Sequence, residues 1–330
     1  MKKIISLVYL LTLQLVSSSQ TMVTFDALKD NTIYSDNTGS SNGAGDNFTT
    51  GSTSSAFRRA LLMFDVSSIP AGSTITSASL TLYMNKTVSG PVDVSLHSLT
   101  SSWGEGTSNA GSGGDGMGVP SSAGDANWIC SFANGVGGCT ISWAINGGDF
   151  IAGASATTSV NGIGPYAWND FLLIADVQGW VNNPTNNNGW IIRGDEITTF
   201  TAKRFSSRTN PVTAQRPQLS ITYTAPLPIT LLYFKASVKN QDAELSWKTA
   251  QEINNDYFEV EYSRDGSSFN VIGKINAAGN SSQPQYYNYH HRAPGVGKHF
   301  YRLRQTDIGG QSTISYIQTV TLTEKTPNLI

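Results

Sequence analysis

Polar and apolar positions alternate with period two in several short runs, the spacing of half-buried β-strands. In residues 77–84 (SASLTLYM), Ala78, Leu80, Leu82 and Met84 fall on one face, and Ser79, Thr81 and Tyr83 on the other. In the run beginning at Pro91, Val92, Val94 and Leu96 oppose Asp93, Ser95 and His97. Residues 60–66 are apolar on both faces, which predicts a central strand of a sandwich. Pro70-Ala71-Gly72 and Asn188-Gly189 read as turns, the second leading into a strand at 190–193. Leu219, Ile221 and Tyr223 mark one face of a last strand. Asp176 is placed to cap one short helical turn over 177–181. Residues 101–165 are too glycine-rich for regular structure throughout and predict long loops, with strands near Trp128 and Trp143.

The same alternation continues beyond a proline pair, Pro226 and Pro228, which suits a linker. Strands are expected at 231–236, 243–247, 257–262, 269–275, 299–304 and 314–322, with turns at Asp265-Gly266 and Gly309-Gly310. Six short strands in about a hundred residues predict an immunoglobulin-like sandwich of the fibronectin type III kind, with Trp247 in its core.

Composition agrees with strands and polar turns: 330 residues, 32 of them glycine, and only 13% charged. Helical bundles and α/β folds are excluded for want of long helical patterns. The net charge of −2 gives no drive towards nucleic acid. The two halves differ. Residues 20–224 carry 9 Lys/Arg against 14 Asp/Glu, and 225–330 carry 10 against 9.

At the N-terminus, Lys2-Lys3, an apolar run over 4–16 and three serines match a secretory signal peptide ending near residue 19. The apolar run is too short to span a bilayer. Export makes a disulfide between Cys130 and Cys139 the leading reading of that close pair, with two separate thiols as the alternative.

Catalytic signatures are scarce. HExxH, GxSxG and the phosphate-binding GxxxxGK[ST] are absent. His97 reads as a surface histidine, and counting carboxylates does not reveal a paired-acid glycosidase. The cation distribution is more informative. No Lys or Arg occurs from 87 to 192, where seven acids fall. Arg59 (beside Arg58), Arg193, Lys203, Arg204 and Arg208 would form a basic patch if their strands are neighbours, and guanidinium groups grip carboxylates bidentately. Their alternative is structural ion pairing, with Asp65 or Asp195 as partners; Arg216, before proline, reads as structural. Six of the seven tryptophans lie before residue 224. Trp180 and Trp190 read as core, and Trp168 as an exposed ring able to stack on a sugar. Asp26, Asp30, Asp36 and Asp46 cluster early enough to suggest a structural calcium ion, although turn chemistry explains them equally. No other cofactor is implied.

The run at 58–83 (RRALLMFDVSSIPAGSTITSASLTLY) resembles the signature hairpin of DNRLRE-type domains, grouped with carbohydrate-binding module family 96. DVQGWVNNPTNNNGWIIRG at 176–194, FSSRT at 205–209 and RPQLSITY at 216–223 follow in the same order. The resemblance implies a jelly-roll-like β-sandwich that binds polysaccharide, acidic ones such as alginate among them. LPITLLYFKA at 227–236, LSWKTAQEINNDYFEVEYSRDGSSF at 245–269 and FYRLRQTDIGG at 300–310 resemble the sandwich that precedes the sorting domain of type IX secretion cargo in Bacteroidota. The expected organisation is therefore a signal peptide (1–19), a carbohydrate-binding-module-like sandwich (20–224), an immunoglobulin/fibronectin III-like sandwich (225–322) and a truncated tail (323–330).

The expectation is an all-β, secreted, monomeric and non-catalytic protein that binds an extracellular, uronate-containing polysaccharide. The residues expected to carry binding are Arg59, Arg193, Lys203, Arg204, Arg208 and Trp168. A structural or adhesive surface protein, and a cryptic lyase or glycosidase, are the alternatives.

Overall fold

The computed structural model describes residues 20–111, 116–225, 231–308, 310 and 312–324. The signal segment, the two prolines, Gly309 and the end of the tail lie outside them.

The chain before 225 forms β1 (Gln20–Tyr34), β2 (Ser40–Ser41), β3 (Asn47–Ser52), β4 (Phe57–Phe64), β5 (Thr74–Thr87), β6 (Val92–Ser98), β7 (Val119–Pro120), β8 (Cys130–Ala133), β9 (Cys139–Ser142), β10 (Ala156–Val160) and β11 (Gly164–Trp168). Helix α1 (Phe171–Asn182), β12 (Trp190–Arg193), β13 (Lys203–Ser206) and β14 (Gln218–Thr224) complete it. All pairings are antiparallel. On one sheet β5 is flanked by β11 on one side and by β14 and β13 on the other. The second sheet runs β4–β12–β6–β10. Two strands belong to both sheets: β1 pairs β14 through its first half and β4 through its second, and β3 pairs β13 and then β4. Passing strands between the sheets closes the sandwich along that side, which leaves no open edge there.

The alternation at 77–84 is realised. Ala78, Leu80, Leu82 and Met84 are buried and face Leu62, Phe64, Leu96 and Trp190 of the other sheet. Leu80, Leu82 and Met84 each contribute about 1.5–3 kcal/mol on burial. The doubly apolar β4 sits between β1 and β12 as its pattern requires. Its inward residues join the main core, while Leu61 joins Ile33 and Ile191 on the sheet's outer face. That face is roofed by the excursion from 99 to 155, whose Leu99, Trp103, Ala126 and Trp143 form a second small core. The glycine-rich segment expected as loops is thus a packed lid. It is pinned by the hairpin β8–β9 and the Cys130–Cys139 disulfide.

The helix departs from expectation. It has 12 residues and is capped by Asp170, whose carboxylate accepts from Leu172 N at 3.0 Å. Asp176 lies inside it. Leu173, Val177, Trp180 and Val181 form a buried stripe at helical spacing, and the pull of that stripe on the open end of the sandwich extends the helix. Gly189 adopts φ 75°, and a Cβ there would sit 2.2 Å from Leu62 O, so the turn before β12 requires glycine.

The second half has its own core. A three-stranded sheet runs β15 (Leu231–Lys239), β16 (Asp242–Thr249), β19 (Gln285–His291). The other contains β17 (Glu252–Ser263), β18 (Asn270–Ser281), β20 (Gly297–Asp307), β21 (Ser312–Ile314) and β22 (Gln318–Leu322). This is an immunoglobulin-like sandwich with Trp247 fully buried. β19 was not foreseen: its alternating Tyr/His/Asn sequence carries no aliphatic signal. The expected strand at 314–322 is divided in two, both parts pairing β20.

Candidate functional site

β4 and β12 are neighbours with Arg59 opposite Arg193 in register, so the topology brings these two candidates together on the outer face of the second sheet. Two like charges so placed repel unless a counter-charge is supplied. Glu196 supplies it. Arg59 donates from Nε and Nη2 to the two carboxylate oxygens at 2.7 and 2.9 Å, and Arg193 from Nη2 and Nε at 2.7 and 3.3 Å. Burial, the largest single influence, pushes the Glu196 carboxyl up, but the hydrogen bonds and charges of both arginines together hold it down at about 2. Asp195, one of the two partners considered under the ion-pair alternative, instead folds back to accept from Ile197 N and Thr198 N.

Aromatic rings of the lid complete the site. The Phe150 ring lies 5.4 Å from the Arg59 guanidinium and 5.3 Å from that of Arg193, and Trp128 lies 4.8 Å from Arg59. Arg59 Nη1 is spent on Gly147 O at 2.8 Å. Arg193 is more exposed, with 28% of its side chain accessible against 12% for Arg59. Its Nη1 makes no hydrogen bond among the described residues. The arrangement is two guanidinium groups sharing one carboxylate, with a donor left over at the surface. Chemically it can accept a second carboxylate in a charge-assisted bond.

His97 sits beside this cluster and is 5% exposed, not the surface histidine its strand face suggested. Its ring bonds Ile151 O and Ser95 Oγ, both at 3.0 Å, and packs edge-on to Phe150. Burial, and after it the charge of Arg193, keep it below the usual histidine range, so it is neutral at pH 7.

The other candidates are dispersed. Lys203 is fully buried, and its ammonium donates to Thr87 Oγ1, Ser89 O and Gly90 O at 2.7, 3.1 and 2.7 Å. It pegs the turn between β5 and β6, and burial lowers its pKa. A buried ammonium with three partners is not available to a polymer, which corrects its assignment to the binding face. Arg204 lies on the outer face of the other sheet and donates to Asn85 Oδ1 at 2.7 Å. Arg208 grips Glu105 with both Nε and Nη2 and keeps 34% of its side chain accessible. Arg58, 3% exposed, is paired with Asp36.

Trp168 is also corrected. Placed at the end of β11, it is 0% exposed, donates from Nε1 to Val94 O at 2.7 Å and meets Phe205 edge-on. The polar residues after Trp168 suggested a loop, but inward alternation along β11 turned its ring to the core. Trp180 and Trp190 are buried as expected. The four aspartates considered for calcium do not converge. Asp30 is buried, Asp36 pairs Arg58, and Asp26 and Asp46 are exposed. Among the described residues no group of three or more potential metal ligands occurs.

Sequence reasoning missed Glu196 and Phe150. Glu196 carried a faint signal, an acid three residues beyond Arg193 across the Gly-Asp turn. Phe150 carried none, because its place depends on how the whole excursion from 99 to 155 folds back.

No family model and no characterised protein sequence matches the chain. Solved structures align only loosely. A pectate lyase from Pectobacterium carotovorum is 14% identical over 28% of this chain and 27% of its own, with a TM-score of 0.22. A β-1,2-glucanase from Parabacteroides distasonis is 9% identical over 92% of this chain and 38% of its own, with a TM-score of 0.23. The Macrobrachium rosenbergii nodavirus structure is 8% identical over 97% of both chains, with a TM-score of 0.22. Likenesses at this level carry no argument about activity. Among the described residues no helix is long and apolar enough to cross a membrane.

Proposed function

We propose that this chain is a secreted, non-catalytic carbohydrate-binding protein whose first sandwich holds an acidic polysaccharide. The observation that carries the reading is the Arg59–Arg193 pair, stacked on Phe150 and Trp128, with Arg193 Nη1 uncommitted at the surface. One uronate carboxylate fits the excess donor of Arg193. The resemblance to DNRLRE-type domains supports the same class of ligand. In this reading the second sandwich is a spacer associated with type IX export. Exposed ion pairs are worth about 0–1 kcal/mol each, so single-site affinity is weak and falls with salt.

The test is retention of the full chain on alginate and polygalacturonate, beside cellulose and a neutral glucan, with product release followed. Salt-sensitive retention on the acidic polymers, without product and reduced by Arg193→Ala, is expected. Retention on the acidic polymers that is insensitive to salt or to Arg193→Ala, or release of unsaturated or reducing ends, overturns the reading.

A further inference from the structure

A cleft of about 370 Å³ lies between helix α1, the chain following β6, Ile151 and the turn preceding β12. Its size falls within the range of small-ligand sites, about 300–1,000 Å³. One wall is helical, formed by Ala175, Asp176, Gly179 and Trp180. The small residues at 175 and 179 fall on one helix face four apart, and their lack of side-chain volume is what opens the cleft. Opposite stand Ser98 and Thr100, with Asn186 and Asn188 along the turn.

The walls are rigidly held, yet their polar side chains are uncommitted. Asn188 O accepts from Trp103 Nε1 at 2.9 Å, Leu99 N donates to Gly189 O at 3.0 Å, and Thr100 N donates to Asp149 O at 2.9 Å. Asp176 Oδ2 accepts from the buried Trp190 Nε1 at 2.7 Å, which fixes the carboxylate and leaves Oδ1 without a hydrogen-bond partner among the described residues. Among the described residues the side chains of Ser98, Thr100, Asn186 and Asn188 make no hydrogen bond. Hydroxyls, carboxamides and one anchored carboxylate therefore converge on a space floored by Trp180, itself packed 4.5 Å from Trp190. Amide and hydroxyl groups serve as donor and acceptor at once, and the carboxylate accepts only. This set matches the vicinal hydroxyls of a sugar ring. The Asp176 charge disfavours a uronate.

We infer that this cleft is a second glycan site, which takes one neutral pyranose unit through Asp176 Oδ1, Asn186 and Asn188. It is independent of the acidic-polymer reading and uses none of its residues.

The test is saturation-transfer NMR on the full chain with methyl β-glucoside, methyl β-galactoside and methyl α-mannoside, beside methyl galacturonide. Gly179→Leu fills the cleft. A Cβ at Gly179 meets nothing within 4 Å, so the variant folds, and replacing a mid-helix glycine raises helix propensity. Asp176→Asn retains an oxygen for Trp190, removes the charge and turns the second oxygen, an acceptor, into an NH2 donor. Transfer to at least one neutral glycoside is expected, and any transfer to the galacturonide, which the Asp176 charge repels and the Arg193 site can hold, should survive Gly179→Leu. Gly179→Leu is expected to abolish transfer to the neutral glycosides while alginate retention stays unchanged, and Asp176→Asn to weaken the neutral glycoside about tenfold. Absence of transfer to every neutral glycoside, or neutral-glycoside transfer that survives Gly179→Leu, overturns the inference. Either result leaves the Arg193 site to be judged separately by the acidic polymers.

Discussion

Glu196→Gln separates stability from binding at the arginine pair. The substitution keeps side-chain shape and one acceptor oxygen but leaves Arg59 and Arg193 facing each other without a counter-charge. The magnitude follows from linkage. The Glu196 carboxyl titrates at about 2 rather than its ordinary 4.5. At about 1.4 kcal/mol per unit, the carboxylate contributes about 3 kcal/mol, discounted to about 2–3 because its side chain is not wholly shielded. A depressed folded-state pKa means this contribution is present above about pH 4.5 and is lost as pH falls towards 2. For a sandwich of this size that is a fall of about 5–10 °C in melting temperature at neutral pH. The assay is thermal unfolding followed by circular dichroism at pH 7 and at pH 3. The variant should melt well below the parent at pH 7 and approach it at pH 3. Alginate retention should rise at the same time, because two guanidinium groups are released. Equal melting temperatures at pH 7, or a gap that stays constant down to pH 3, would refute the assignment of Glu196 as the ion that holds the pair.

Three further outcomes follow from buried groups. Lys203→Met should destabilise the first sandwich by about 1–3 kcal/mol, because Ser89 O and Gly90 O lose their donor, and should leave polymer retention unchanged; lost retention at full stability would return Lys203 to the binding face. Asp30 is fully buried with Oδ1 unpartnered, and burial raises its carboxyl to about 8 despite the hydrogen bond from Arg208 N. A raised folded-state pKa favours folding below about pH 4 and loses that advantage as pH rises to 8, so Asp30→Asn should flatten the fall in melting temperature between pH 5 and 8; parallel pH profiles would contradict this. Joint replacement of Cys130 and Cys139 by serine should cost about 2–3 kcal/mol, from the short loop that the bridge closes; denaturant unfolding with no change in midpoint would show the lid is held without it.

Strand faces were legible wherever alternation was strict. Residues 78–84 and 92–96 carry apolar side chains at every second position, and a one-residue slip would expose all of them, so pattern alone specifies orientation. The immunoglobulin-like half was readable for the same reason, apart from β19, whose inward face is aromatic. The site was less legible because it depends on partners distant in sequence. Arg59 and Arg193 were grouped only on the condition that their strands are neighbours, and their shared acid is set by the turn after β12. Lys203 and Trp168 failed for a common reason. Each is amphipathic, and composition cannot tell a charge or ring that faces water from one that satisfies buried carbonyls. The helix was read too short because Asp176 looked like a cap; its carboxylate instead serves Trp190 from within the helix. The 99–155 lid carries no periodic signal, so the roof over Leu61 and Ile191 could not be foreseen.

The most direct test of the central claim is the affinity of the full chain for alginate oligosaccharides across ionic strength, with Arg193→Ala measured alongside. The account expects binding that weakens steadily with added salt, a clear loss for Arg193→Ala at low salt, and convergence of the two proteins at high salt as screening removes the difference. Binding that is insensitive to salt, or identical in the two proteins throughout, would contradict it.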